Sequence, residues 1–436
     1  MRTKLIFILF FLLAGCANDI TVNRDLSSTP QNSLIFATKG STDIKYQNLK
    51  DHLANNYLKH YFSPWHNHDL KTIHGILHSE YQQIKNFSDY PGFGENAQWY
   101  NDAWMKKIAH IMNLAAYPNL KMNAIVYRNT SLRVLPTEDP SFNDWYKPGQ
   151  GYPFDNLQTL VLAVNTPLYV LHESRNGEWV LVITPYECLG WVKSTDIAYV
   201  KHIEKWMFKN YIVTTFDNQP VFDQNLVFYT SSRIGQLFPL YKITKSYYQV
   251  IIPTRNNDGY AIPKIVNIRK TKSNLWPVNI AQKNIATVAN NMLGQTYGWG
   301  ELYSYRDCSS SMEALFAPFG IWLPRNSKSQ ITEVGNFIDL SNYNTEQKLN
   351  FIISKGVPFL TLLWLPGHIM LYIGEKNGQA YVLHNFWGLH IKQYFSSVTG
   401  RAIVGRNVIM PLNFGNQYIN VEQNFLERIQ GMSLLL

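Results

Sequence analysis

The sequence predicts a multidomain α+β protein, and three observations carry that prediction. The chain has 436 residues, of which 46% are hydrophobic and 16% charged. That supplies several cores of ordinary domain size and excludes intrinsic disorder and collagen. Its texture also changes along its length, from apolar residues three and four apart, to short alternating strands, to a mixture of the two. Finally, its three cysteines, Cys16, Cys188 and Cys308, cannot form a disulfide framework, so each needs its own explanation.

Cys16 is explained by the start of the chain. Arg2 and Lys4 precede an apolar run from Leu5 to Leu13, which is far shorter than the about 20 residues of a spanning helix and reads as a cleavable signal segment over 1–15. Leu13-Ala14-Gly15-Cys16 resembles the lipobox of bacterial lipoproteins, which implies a diacylated Cys16 anchoring the chain to a membrane. Ala17 in place of Asp implies, for a Gram-negative lipoprotein, the periplasmic face of the outer membrane. Residues 16–40 are polar and suit a tether. The 39 basic against 30 acidic residues give a mild positive bias without any run of five like charges, so no nucleic-acid partner is expected.

Residues 41–118 have helical periodicity, including Trp99 to Leu114. His74 and His78 lie at i, i+4, with His66 and His68 just before them. Two imidazoles so spaced could share an ion, but a third ligand and an ordered second shell are wanting, and no metal is expected. Residues 119–200 read as a small barrel with strands at Thr159–Val164, Leu168–Glu173, Trp179–Thr184 and Gly190–Val192. Residues 201–272 repeat the style at Tyr211–Thr215, Tyr247–Ile252 and Gly259–Ile262, without a fixed-period sequence repeat. Cys188 reads as a half-buried small hydrophobe.

The domain over 273–412 opens with a helical pattern, Val278 to Met292. It then brings Asp307-Cys308-Ser309-Ser310-Ser311 to the start of another, Met312 to Phe319. A cysteine in the first turn of a helix has its thiolate favoured by the helix dipole and by unpaired N–H groups. A nucleophile also needs a base. His368 enters a strand, Ile369 to Ile373, and a second strand, Ala380 to Leu383, ends at His384. Adjacent antiparallel strands could set His368 beside Cys308 and His384 behind it, where a ring-to-ring hydrogen bond fixes the tautomer. His390 is an alternative third residue. Residues 413–436 read as a tail.

These flanks resemble the NlpC/P60 cysteine peptidases. The matching phrases are Leu293-Gly294 with Tyr297-Gly298-Trp299-Gly300, Asp307-Cys308-Ser309, Leu323-Pro324-Arg325-Asn326-Ser327 with Gln330, Gly367-His368, and His384. The preceding regions resemble the branch that carries a helical N-terminal domain and two bacterial SH3-like barrels. Phe93-Gly94-Glu95-Asn96, Arg133-Val134-Leu135-Pro136-Thr137, Pro153-Phe154-Asp155, Gly190-Trp191-Val192 and Ile234-Gly235 carry that likeness. The resemblance implies a papain-like C-terminal fold with Cys308 as nucleophile, His368 as base, His384 as orienter and Tyr297 beside the oxyanion. It implies hydrolysis of the γ-D-glutamyl bond to a diamino acid in murein stem peptides, as a monomer and without a cofactor. It assigns Asp307, Ser309, Asn326 and Ser327, with Tyr186 or Glu187 from the first barrel, to substrate binding, in a pocket that reads a free L-Ala amine. Glu301 replaces a usual Gly and Ser310 another, extra side chains expected to narrow the cleft, and Asn326 stands where many relatives have Asp. A non-catalytic murein-binding lipoprotein, and an amidase or acyltransferase built on the same thiol, are the alternatives.

Overall fold

The computed structural model describes residues 19–21, 29–37, 46, 48–66, 70–147, 149–392, 399–415 and 424–436. Cys16, the signal segment and His68 lie outside them.

Three helices, α1 (Lys50–Tyr61), α2 (Leu70–Asp89) and α3 (Asp102–Met112), form the N-terminal region. The helix expected from Trp99 starts at Asp102 because the Asn101 side chain caps it, accepting from Trp104 N–H. Ahead of the cap, Phe93 pairs with Trp99 and Phe142 in short β-bridges. Met105, Ile108 and Met112, one face of α3, bury against Trp179, Leu181 and Trp191. Glu80 of α2 accepts from the Trp191 indole at 2.9 Å, and burial lifts its carboxyl to about 7. His74 and His78 are exposed, and among the described residues no group of three or more His, Cys, Asp or Glu could hold a metal ion.

Two seven-stranded antiparallel modules follow. The first comprises β2 (Met122–Val126), β3 (Thr130–Arg133), β4 (Gln158–Leu162), β5 (Pro167–Glu173), β6 (Trp179–Ile183), β7 (Leu189–Lys193) and β8 (Ile197–Tyr199). The second comprises β9 (Tyr211–Thr214), β10 (Gln219–Phe222), β11 (Phe228–Ser232), β12 (Leu237–Ile243), β13 (Tyr247–Arg255), β14 (Ala261–Arg269) and β15 (Ser273–Trp276). Their strand orders are β4-β3-β7-β6-β5-β2-β8 and β11-β10-β14-β13-β12-β9-β15, the same path displaced by seven strands. Sequence reading misses β2 and β3 because neither alternates cleanly: β2 ends in three consecutive buried residues, and β3 ends in the buried Arg133.

The C-terminal domain holds α4 (Gln282–Met292), α5 (Cys308–Phe316), α6 (Ser327–Glu333) and α7 (Thr345–Lys355). Its sheet contains β16 (Asn336–Asp339), β17 (Thr361–Leu365), β18 (His368–Lys376), β19 (Gln379–Lys392) and β20 (Thr399–Pro411). Two expectations are corrected here. The presumed tail supplies α8 (Phe425–Arg428) and β21 (Gly431–Leu434), and β21 lies inside the sheet between β17 and β16. Its Met432 is fully buried, so the domain is completed by its last residues. The presumed tether is docked as well. Gln31 exchanges two hydrogen bonds with the Ile409 main chain, Ser33 Oγ donates to Ala286 O, and Phe36 enters the domain core. Upstream, β1 (Asp19–Thr21) pairs in parallel with β20. Polar side chains in this segment imitate a strand's hydrogen bonds instead of seeking water.

Candidate active site

Cys308 is the first residue of α5, and Asp307 is its N-cap. The Asp307 carboxylate accepts from Ser310 N–H, while Ser310 Oγ accepts from Asp307 N–H and closes a capping box. The Ser that departs from the family's Gly is therefore a structural gain. The thiol receives a hydrogen bond from Ile369 N–H, next to His368 at the head of β18. His368 Nε2 lies 2.8 Å from His384 Nδ1 on the neighbouring strand β19. Behind them, His384 Nε2 meets Met410 Sδ at 3.3 Å, and its ring stacks on Phe386. Of the three residues expected to act together, His368 and His384 touch, and Cys308 meets the main chain of the residue after His368. His390, the alternative third residue, lines the cavity beyond.

The electrostatics differ from expectation. The helix dipole favours a thiolate, but burial and then the Asp307 charge push the Cys308 thiol up to about 12. Burial, with help from Arg428, pushes His368 down to about 3. Burial and the charge of His368 also hold His384 well below its ordinary value. All three shifts are in the direction of the uncharged thiol and imidazoles.

His368 opens into a cavity of about 210 Å³ walled by Tyr297, Trp299, Trp387, Arg401 and Arg428. Tyr297 is buried; burial, Cys308 and Asp307 all raise its phenol well above its usual value, so it stays a hydrogen-bond donor. One side of the cavity comes from the first β-module. Its β3–β4 loop, residues 134–157, sets Phe154 against Trp299 and Trp387 with ring centroids 5.3 and 5.5 Å apart. The Trp299 indole donates to Asp155 O. A buried ion pair holds the loop, with Arg133 Nη1 to Asp155 Oδ2 at 2.6 Å and the other Asp155 oxygen accepting from Ser141 and Leu157 N–H.

The expected substrate-binding residues are placed differently. Asp307 is buried and paired with Arg325 at 2.5 Å; burial would raise its carboxyl, but Arg325 and the cap hold it low. Ser309 accepts from Arg325 at 2.7 Å. Asn326 caps α6 through Ser329 N–H, a task Asp would do equally well, and Ser327 follows as the first helical residue. Tyr186 lines a separate, smaller space with Glu313 and Arg325, behind the catalytic helix. Glu187 is exposed, its carboxyl raised by partial burial and by Glu333. None of these six lines the His368 cavity. Cys188 is half-buried with its thiol toward Tyr186 O, and burial raises it to about 12.

Glu301, expected to narrow the cleft, instead turns between the two β-modules. It accepts from Val161 N–H of the first at 2.9 Å and from Arg233 of the second at 2.5 Å. Arg306 adds a bidentate pair to Asp217 of the second module. Sequence reading missed Arg325 as the counter-charge, Arg306 as the brace and Phe154 as a cleft wall. The first and last lie within motifs already quoted, but their partners are distant in the chain.

Comparison with known proteins fits this geometry. Residues 5–117 match the N-terminal NLPC_P60 stabilising domain, 140–193 an SH3 domain of SH3b1 type, 201–245 an SH3 domain of SH3b2 type, and 294–404 the NlpC/P60 family. The stretch that holds Cys308, His368 and His384 is thus the part that matches the NlpC/P60 family. An NlpC/P60 endopeptidase from Photobacterium damselae subsp. piscicida is 26% identical with a TM-score of 0.83, over 96% of this chain and 99% of its own. An NlpC/P60 family protein from Bacillus cereus shares the fold at 16% identity and a TM-score of 0.50, over 72% of this chain and all of its own. No curated protein matches the chain. The two β-modules match SH3b-type domains, and the C-terminal domain matches a family of cysteine peptidases.

Proposed function

We propose that this protein hydrolyses the γ-D-glutamyl bond to the diamino acid in murein stem peptides. The observation that carries the mechanism is the 2.8 Å contact between His368 Nε2 and His384 Nδ1, which leaves His368 Nδ1 for the thiol. His384 orients His368, His368 takes the Cys308 proton as Sγ attacks the carbonyl carbon, and a thioester forms when the leaving amine takes that proton. Water, deprotonated by His368, then cleaves the thioester. Cys308 N–H and the Tyr297 hydroxyl are the donors for the oxyanion. No cofactor enters the scheme.

A cavity of about 210 Å³ with one side closed by the first SH3b domain favours short stems over cross-linked wall. Because Asp307 is already paired with Arg325, a free L-Ala amine would compete with that guanidinium for the carboxylate. In this reading Ser309 and Ser327, with Tyr186 and Glu187 of the first SH3b domain, would meet the peptide outside the His368 cavity, which none of them lines. In the cell, the proposal places the chain on the periplasmic face of the outer membrane through lipidated Cys16, as a monomer. Fractionation of cells carrying Cys16→Ala checks the anchor: the variant should move to the soluble fraction.

The activity is tested by mass spectrometry of L-Ala-γ-D-Glu-diaminopimelate incubated with wild type, Cys308→Ala and His384→Ala, beside an N-acetylated peptide. The expected result is release of L-Ala-γ-D-Glu by wild type, none by Cys308→Ala, and about 10²–10⁴-fold less by His384→Ala with the peptide's KM little changed. Resistance of the acetylated peptide would support amine reading. A folded wild-type protein that releases nothing overturns the proposal.

A further inference from the structure

A second cavity, of about 520 Å³, lies across the junction from the catalytic one. Phe154 and Trp299 face the catalytic cavity, whereas their neighbours Asp155 and Leu302 to Ser304 face this one. It is bounded by three parts of the chain: the 134–157 loop of the first SH3b domain, Glu95 of the N-terminal region, and the catalytic domain's 302–304 turn. Its size is that of a small-molecule site, and aromatic rings line it: Phe142, Trp145, Tyr152 and Tyr303. Two of these are remarkably open for large rings, Tyr152 at 56% and Tyr303 at 69% exposure. They are joined by a hydrogen bond between their hydroxyls. In Tyr303 the backbone is left-handed, at φ +56°, a conformation that costs energy in a non-glycine residue.

The charges select the ligand class. Asp155 is neutralised by Arg133, and Glu138 is shared with Lys193 at 3.3 Å. Among the described residues of the lining, that leaves Glu95 as the carboxylate outside an ion pair. An anionic peptide stem is therefore repelled rather than drawn in, and a cation meets one unbalanced charge instead of three. A neutral ligand with one weakly apolar face and many hydroxyls fits best. Its C–H face packs on the rings, and its hydroxyls meet the Glu95 and Glu138 carboxylates.

We propose that this cavity is a glycan subsite that holds N-acetylated hexosamine units of the wall beside the peptidase cleft. The identity of the sugar rests on the cell-wall reading above; the cavity's chemistry does not. It would let the enzyme stay on the wall while its smaller catalytic cavity takes stem peptides.

The test is titration of an N-acetylglucosamine tetramer into a soluble form starting at Ala17 and carrying Cys308→Ala. Calorimetry and tryptophan fluorescence follow binding, with Trp145→Ala and Glu138→Gln variants alongside. Saturable binding is expected, weakened at least ten-fold by Trp145→Ala and less by Glu138→Gln. Trp145→Ala in the otherwise wild-type chain should cleave free stem peptide at the wild-type rate, which also shows that it folds. The proposal is overturned if the tetramer does not saturate the folded protein, if Trp145→Ala binds it undiminished, or if the tetramer competes with stem peptide for the catalytic cavity. Sugar binding without peptide cleavage would sink the proposed reaction and leave the subsite standing, and cleavage without sugar binding would do the reverse.

Discussion

The two SH3b domains follow one strand path, yet they differ where it matters. Between β3 and β4 the first carries residues 134–157, and between the corresponding β10 and β11 the second carries only 223–227. The long loop brings Phe154 to the catalytic cavity and, on its other side, Trp145 and Tyr152 to the larger one. The short loop ends in an exposed Leu226 and touches neither. The second domain instead meets the peptidase through Asp217 and Arg233, as a brace. One scaffold thus serves as a cleft wall in one copy and a strut in the other, and a single inter-strand loop makes the difference.

The strongest way to break this contrast is Asp155→Ala, which leaves Arg133 charged and unpaired inside the first domain. It should cost about 3–5 kcal/mol and remove peptidase activity with it, as read by urea unfolding and cleavage of the stem peptide. Asp217→Asn tests the strut. Burial would raise the Asp217 carboxyl, but Arg306 and Ile234 N–H outweigh it and hold it at about 2. Against an ordinary value of 3.8, that is worth about 2 kcal/mol, present above pH 4–5 and lost as the pH falls through 2. The variant should therefore be less stable than wild type at pH 7, with the gap closing toward pH 2, while kcat/KM at 25 °C is unchanged.

Phe154→Ala sharpens the contrast from the other side. It should lower kcat/KM for the stem peptide about ten-fold, mostly through KM, because a wall of the binding cavity is lost. Its Tm should stay within a few degrees of wild type, since Phe154 is only half-buried. The smallest effect is expected for Leu226→Asn, the tip of the short loop. Asn tolerates the left-handed backbone there, at φ +62°, so stability should move by no more than about 0.5 kcal/mol and activity not at all. A drop in activity from Leu226→Asn would mean that the second domain also shapes the cleft.

Much of the site was legible because its chemistry is local. Cys308 behind a capping Asp307, His368 opening one strand and His384 within the next are separated by fixed backbone geometry, and strand pairing brings the two rings together. The N-terminal helices, the helix ending at Met292, the one that begins at Cys308 and some of the strands were legible from periodicity. Among the strands that escaped, β3 has its pattern spoiled by the buried Arg133 and β2 by a run of consecutive buried residues. Segment 29–37 and the last strand escaped because polar or short stretches carry little periodic signal.

The sequence by itself determined the order of modules and, through a family resemblance, singled out Cys308, His368 and His384 as candidates, since periodicity and motifs depend on neighbours along the chain. Tertiary structure alone decided what the charges do. Asp307 might read an amine or cap a helix. At rest it caps the helix through Ser310 N–H, with Arg325, eighteen residues away, closed on it as the charge that an amine would have to displace. Glu301 might block the cleft or fasten domains, and it fastens them because Val161 and Arg233 offer it hydrogen bonds. A carboxylate's role is set by whichever donors the fold brings within about 3 Å, and those donors are invisible until the domains meet.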